Sequence, residues 1–491
     1  MLQLHRLGTV CVIITSCIYI GAAYRIPSPT IEVTEPSGFK LSIPDDNGIV
    51  LFAFHGKINE NLAQNEMGNL HEDIQEPVDG KWTYENRTVR LKKGDKIHYW
   101  IYVQHGRLAF RLDNQIFEVT EFNKPTLIPI PEPESIPDRT QCEYSRTTIK
   151  GGEHVCKNTL VFEEKFDDLK NDVWQKEVKF PKDTEDAEFC SYQEGQENSF
   201  VRNGTLFIVP TLQVNAEGFN ETVIRRGKID FGRRCTPSTI INNDIECVRQ
   251  AGGRQIIPPV VSAQLTTKNS FKFKYGKIVV RAKLPTGDWL FPQIFLKSSQ
   301  NVFGDDNFVN GLMRVCFIHG NEELTSVDGR EIDGHYLRGM LVLDRGHTNR
   351  ERWMKTESSQ RHWGSDFHEY TLTWSEEMIT MAVDGKIYAH FREKFCDPPE
   401  SCGIAHAAAW EAGLPPMAPF DQDVHIVLGV GVGGLGDFPE DCVTTKGHKK
   451  PWKNTDPRAE RNFYMDKDSW YPTWNGEEAA LQVDWVRVYA L

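Results

Sequence analysis

The sequence has no excess of basic charge, and past its first two dozen residues it has no apolar run long enough to cross a membrane. Lys and Arg number 56 against 69 Asp and Glu, a net charge of −13. Phosphate recognition needs a concentrated basic surface, so nucleic acid is excluded as the main partner, and so is a polybasic membrane anchor. There is no G-x-S-x-G, no H-E-x-x-H and no G-x-x-x-x-G-K-[ST], which removes esterase, zincin and P-loop readings. No cysteine–histidine spacing suggests zinc, and no metal or cofactor is expected. Long amphipathic helical patterns are also missing. Aromatic residues are not scarce: at 11% of the chain they exclude a disordered acidic polymer.

Residues 1–23 read as a secretory signal peptide. His5 and Arg6 form the n-region, 7–20 the apolar core, and Gly21, Ala22 and Ala23 the small residues of a cleavage site. The core is shorter than the ~20 residues of a spanning helix. Loss of this segment takes the charge to −14 and the cysteine count from 11 to nine. The expected location is extracellular. None of the nine lies before Cys142, so the first hundred mature residues fold without disulfides. Cys142–Cys156 and Cys396–Cys402 are plausible bridges, an odd count leaves a thiol over, and Cys316 is the candidate. N-x-[ST] sequons stand at Asn86, Asn203 and Asn220.

A proline-rich stretch divides the rest. Residues 124–140 read as an extended spacer between a small module, 24–123, and a large one, 141–491. Both read as all-β. In the small module Ile97, Tyr99, Ile101 and Val103 alternate with His98, Trp100 and Tyr102, and 49–54 is an apolar run suited to a buried strand. Short strands at this spacing predict a β-sandwich. In the large module 277–283, 370–374, 379–383 and 483–489 are strand-like, and Asp384-Gly385 is a hairpin signal. That pattern over some 350 residues predicts a large sandwich or jelly roll. The GVGVGG run at 429–434 matches a dinucleotide fingerprint in letters only, because a turn follows it where a helix is required.

The runs YGKIVVRAKLP (275–285), GDW (287–289), DFHEY (366–370) with Trp374, VDG (383–385) and APFD (418–421) resemble the glycoside hydrolase family 16 jelly roll. With GFKLSIPDD (38–46), LFAFHG (51–56), GKW (80–82) and Gly94-Asp95, the whole mature chain is similar to the insect β-1,3-glucan recognition proteins, also called Gram-negative bacteria-binding proteins. The resemblance implies an immunoglobulin-like N-terminal β-sandwich that binds glucan and a concanavalin-like jelly roll. It also implies a haemolymph protein that recognises microbial wall polysaccharide and engages immune serine proteases or peptidoglycan recognition proteins.

The hydrolase family carries G-E-[ILV]-D-x-x-E on one strand. A retaining glycosidase needs two carboxyl groups ~5–5.5 Å apart. Residues i and i+2 share a strand face, and a bulge returns the last Glu to it. Here the segment reads GLMRVCFIHGN over 311–321, so the three positions hold Leu312, Arg314 and Phe317. No carboxyl group remains to attack or to protonate a leaving group. An active glucanase with carboxylates elsewhere is the alternative, and an adaptor without polysaccharide binding is another. The literal Glu331-Ile332-Asp333 is out of register and reads as a solvated loop.

By resemblance the small module's glucan contacts fall near Asp45, Asp46, Trp82, Tyr84 and Arg87. Turn chemistry at 44–48 and a core tryptophan explain the same residues without a ligand, and a glycan on Asn86 would shield them. In the large module Trp289, His319, Trp363, Trp410 and Phe420, with Arg314 and Phe317, line a cleft or belong to the core.

Overall fold

The structure is a computed structural model. It describes residues 24–122 and 142–491 except 34–37, 47, 64–65, 79, 87–88, 107, 121, 150–154, 183–185, 239–243, 301, 304–307, 344–352, 393–394, 396–416 and 445–446. The signal segment, the proline-rich stretch, Arg87, Trp410, Cys396 and Cys402 lie outside the described residues. The chain forms two compact units, 1–137 and 138–491.

Among the described residues the small unit has seven strands: β1 (Thr30–Val33), β2 (Phe39–Pro44), β3 (Ile49–Ile58), β4 (Leu70–Ile74), β5 (Lys81–Asn86), β6 (Lys96–His105) and β7 (Leu108–Glu118). They form two sheets, β1-β2-β5 and β4-β3-β6-β7. A period of two sends alternate side chains to one face. From β6, Ile97, Tyr99, Ile101 and Val103 are buried as expected, and they share one apolar cluster with Phe52 and Phe54 of β3. Leu41, Ile43, Trp82 and Tyr84 of the other sheet complete that cluster. With no disulfide in this unit, the apolar interface carries its stability, at about 1.5–3 kcal/mol for each fully buried large side chain.

The strands used below in the large unit are β8 (Gln175–Lys176), β9 (Ser199–Arg202), β10 (Thr205–Ile208), β11 (Gln264–Thr266), β12 (Gly276–Lys283), β13 (Leu290–Ser298), β14 (Leu312–Phe317), β15 (Tyr336–Val342), β16 (Met354–Ser358), β17 (His368–Trp374), β18 (Ile379–Val383), β19 (Lys386–Phe391), β20 (Val424–Val432) and β21 (Leu481–Tyr489). A nine-stranded sheet has the main path β8-β11-β20-β13-β14-β15-β16. An eight-stranded sheet has the main path β9-β10-β21-β12-β17-β18-β19. One apolar cluster spans both sheets. Helices are short; α1 (Glu221–Arg226) is capped by Asn220, whose side-chain oxygen accepts from the Thr222 and Val223 amides. Asp384 and Gly385 both take positive φ, 48° and 79°, as a two-residue hairpin between β18 and β19 requires.

The GVGVGG run is the end of β20 and the turn after it. Gly431 faces Phe291 across the sheet, and a Cβ there would fall 2.2 Å from the Phe291 ring. The glycines make room for a neighbouring strand's side chains. Disulfides join Cys142–Cys156 and Cys235–Cys247. Cys316 is unpaired, but so are Cys190 and Cys442 among the described residues. The odd cysteine is therefore not a single thiol.

Candidate functional site

The small unit carries an open depression of about 480 Å³ between the β2–β3 and β4–β5 connections. Asp45, Asp46, Gly48, Ile49 and Val50 form one wall, Gln75 and Pro77 the other, and Trp82 meets both. The first wall is a tight turn: the Gly48 and Ile49 amides donate to the Asp46 carbonyl at 2.6 and 3.0 Å, and the Asp45 amide donates to Gly80. Both carboxylates are exposed. Trp82 is 1% exposed, and its indole N–H donates to Asp45 Oδ1 at 2.7 Å. The indole fixes a carboxylate at the rim; its faces are spent in the core.

Tyr84 requires a correction. It is two residues after Trp82 on β5 and points the same way, into the sandwich. Its ring stacks on Phe54 at 4.2 Å, and burial pushes its hydroxyl up to about 12. It is not a surface contact residue. Val50, Gln75 and Pro77 were not singled out in the sequence. Gln75 and Pro77 sit in a connection with no motif, and Val50, half-exposed here, lies in the 49–54 run that reads as a buried strand.

In the large unit Leu312, Arg314 and Phe317 lie on β14. Its pairing with β15 slips between Arg314↔Met340 and Phe317↔Arg338, three residues against two. That is a β-bulge. It puts Leu312, Arg314 and Phe317 on one face, and the Arg314 guanidinium carbon stands 4.8 Å from the Phe317 ring centre. All six residues of β14 are buried, so this face is covered and is not an open cleft.

Arg314 explains much of the cover. Its guanidinium donates to Asp437 at 2.7 and 3.0 Å and to Asp186 at 2.7 Å. Burial pulls its pKa down, but Asp437 and Asp186 outweigh that and hold it above the ordinary range. Phe438, next to Asp437, packs on Trp289 at 5.3 Å and on His319 at 4.7 Å. Trp452 closes against Trp289 at 5.0 Å. His319 faces the carbonyls of Ile332 and Asp437, and burial with Arg338 nearby lowers it to about 3, so it stays neutral. Trp289, His319, Trp363 and Phe420 are all under 10% exposed. These four are buried, as the core alternative requires.

Glu331 accepts from Tyr336 at the surface, whereas Asp333 is 5% exposed and accepts from His335 and the Leu324 amide. The loop reading therefore holds only for its first acid. Among the described residues no group of three or more His, Cys, Asp or Glu could hold a metal ion, and no helix is long and apolar enough to cross a membrane.

Residues 25–148 match the family described as a carbohydrate binding domain (family 32), CBM39. Among curated proteins, a beta-1,3-glucan-binding protein of Hyphantria cunea is 34% identical over 99% of this chain and all of that protein. A beta-1,3-glucan-binding protein of Tenebrio molitor is 35% identical over 95% of this chain and 96% of its own length. Gram-negative bacteria-binding protein 1 of Drosophila melanogaster is 34% identical over the same shares. A solved laminarinase from Rhodothermus marinus aligns with 68% of this chain and 97% of its own at 19% identity, with a TM-score of 0.42. The chain belongs to the family of the β-1,3-glucan-binding and Gram-negative bacteria-binding proteins.

Proposed function

We propose that this protein recognises microbial β-1,3-glucan without hydrolysing it. The observation that carries the reading is Arg314. At the position where a retaining glucanase needs an acid between its two catalytic carboxylates, a buried guanidinium is tied to Asp186 and Asp437. Leu312 and Phe317 flank it, so neither a nucleophile nor a proton donor is available on that strand. Recognition then falls to the small unit. Asp45 and Asp46 offer acceptors to sugar hydroxyls, and Ile49, Val50 and Pro77 offer apolar surface to pyranose faces. The net charge of −13 favours a neutral glucan over an anionic wall polymer.

The finer parts of the reading rest on family membership and the sequence. The small unit, 24–123, is the binding module, 124–140 the spacer and 141–491 the non-catalytic jelly roll. The protein is secreted after loss of residues 1–23. Asn203 and Asn220 are exposed acceptors for glycans, and capping by the Asn220 oxygen leaves its amide nitrogen free for one. Bound glucan presents the protein to immune serine proteases or peptidoglycan recognition proteins.

Co-sedimentation of the full chain with insoluble curdlan tests the binding half. Wild type is expected in the pellet, with competition by soluble laminarin, and the Asp45→Ala, Asp46→Ala double variant in the supernatant. A wild-type chain that stays in solution overturns the reading and leaves the adaptor role.

A further inference from the structure

Tyr24 belongs to no strand and opens the described small unit, where a chain segment is ordinarily loose. It is held on two sides. Its ring stacks on His105 with centroids 4.4 Å apart and planes 18° apart, and it meets Phe110 edge-on at 5.1 Å. Its hydroxyl is buried with no hydrogen-bond partner among the described residues. Ring contact holds the residue in place, and the phenol oxygen contributes no bond.

His105 in turn lies over Gly48. A Cβ on Gly48 would fall 2.3 Å from His105 Nε2, so the imidazole occupies space that only glycine leaves open. The same nitrogen stands 3.4 Å from Asp46 Oδ1. Asp46 and Gly48 line the depression; Tyr24 and His105 stand behind them and are not among its lining residues.

We propose that Tyr24 is a positioning residue for glucan binding. It clamps the His105 ring over Gly48, and His105 holds the Asp46 carboxylate towards the depression. An exposed carboxylate otherwise loses rotamer freedom when it accepts a sugar hydroxyl, and one already held loses less. The proposal rests on the reading that this depression binds glucan. It also gives a function to the packing of a residue that the expected signal cleavage would leave first in the chain.

The test is calorimetric titration of the full chain with laminarihexaose. Tyr24→Phe keeps the stack and removes only the unpartnered hydroxyl, so it binds as wild type. Tyr24→Ala and His105→Ala each weaken binding by roughly threefold to tenfold, the scale of one immobilised side chain. The double variant is no weaker than either single one, because both act through the same contact. Multiplying single effects, or Tyr24→Phe as weak as Tyr24→Ala, overturns the relay through His105. Asp46→Ala separates the two levels. If it weakens binding while Tyr24→Ala does not, the positioning role is wrong and the depression stands. If Asp46→Ala binds as wild type, the positioning role is wrong, and the depression reading fails with it only if the Asp45→Ala, Asp46→Ala double variant also binds as wild type.

Discussion

Arg314 and Asp437, 123 residues apart in sequence, share two hydrogen bonds of 2.7 and 3.0 Å between one guanidinium and one carboxylate, both buried. Asp186 completes the arrangement from a third segment. Two anions around one cation are tolerable in a low-dielectric interior only while the cation is present. This contact is what keeps the face of β14 closed.

Removing the cation leaves two buried carboxylates facing each other. Arg314→Met is expected to destabilise the large unit by about 3–5 kcal/mol. Adding Asp186→Asn and Asp437→Asn to it restores part of that loss, because the two charges that Arg314 bridged are removed with it. Urea unfolding followed by tryptophan fluorescence measures both.

Restoring the hydrolase pattern alone does not restore a hydrolase. Leu312→Glu, Arg314→Asp and Phe317→Glu together put three more acids against Asp186 and Asp437 in a layer packed by Phe291, Phe438 and Trp452. The expected result is loss of the folded large unit at neutral pH, read by near-ultraviolet circular dichroism, with no laminarin cleavage.

Trp82 links the small unit's core to its rim. Trp82→Phe keeps most of the apolar volume but removes the N–H that holds Asp45 at 2.7 Å. We expect a loss of about 1–2 kcal/mol of stability and weaker sedimentation with curdlan at equal folded concentration. Tyr84→Phe removes only the hydroxyl that accepts from Asn86 and is expected to leave sedimentation unchanged.

His55 gives the small unit an acid sensitivity. It is 7% exposed, stacked on Trp100 at 3.8 Å, and held at about 4 by burial, then by His71. Unfolded, it takes a proton near 6.5. Between those values the unfolded chain binds more protons, so stability falls as pH drops, by up to about 1.4 kcal/mol per unit from this group. His55→Phe keeps a ring beside Trp100 and cannot titrate. Chemical denaturation between pH 7 and pH 4 should show a shallower decline for that variant.

The local patterns were legible and the distant partners were not. The inward alternation of β6 follows from period two, and so does the shared face of Leu312 and Arg314. The bulge that adds Phe317 follows from the hydrolase pattern. Tyr84 was legible too: Lys81, Thr83 and Glu85 alternate with Trp82 and Tyr84, which assigns both aromatics to one buried face. Resemblance to a contact region and the period of the strand assign Tyr84 differently, and its burial follows the period. Asp186 and Asp437 carried no signal, because nothing local marks an acid as the partner of an arginine more than a hundred residues away. The choice between cleft and core was not legible for the same reason. Trp289 directly precedes β13 and His319 follows β14, but Phe438 and Trp452, which cover them, come from a later connection. The GVGVGG run needed its neighbours in space, since Gln293 and Phe291 of β13 fill the room left by Gly429 and Gly431.

Recognition without catalysis is tested most directly by the release of reducing ends from laminarin by the full chain. At a concentration where the protein sediments with curdlan, no release above a heat-inactivated control is predicted. Release that grows with time and protein concentration would contradict it.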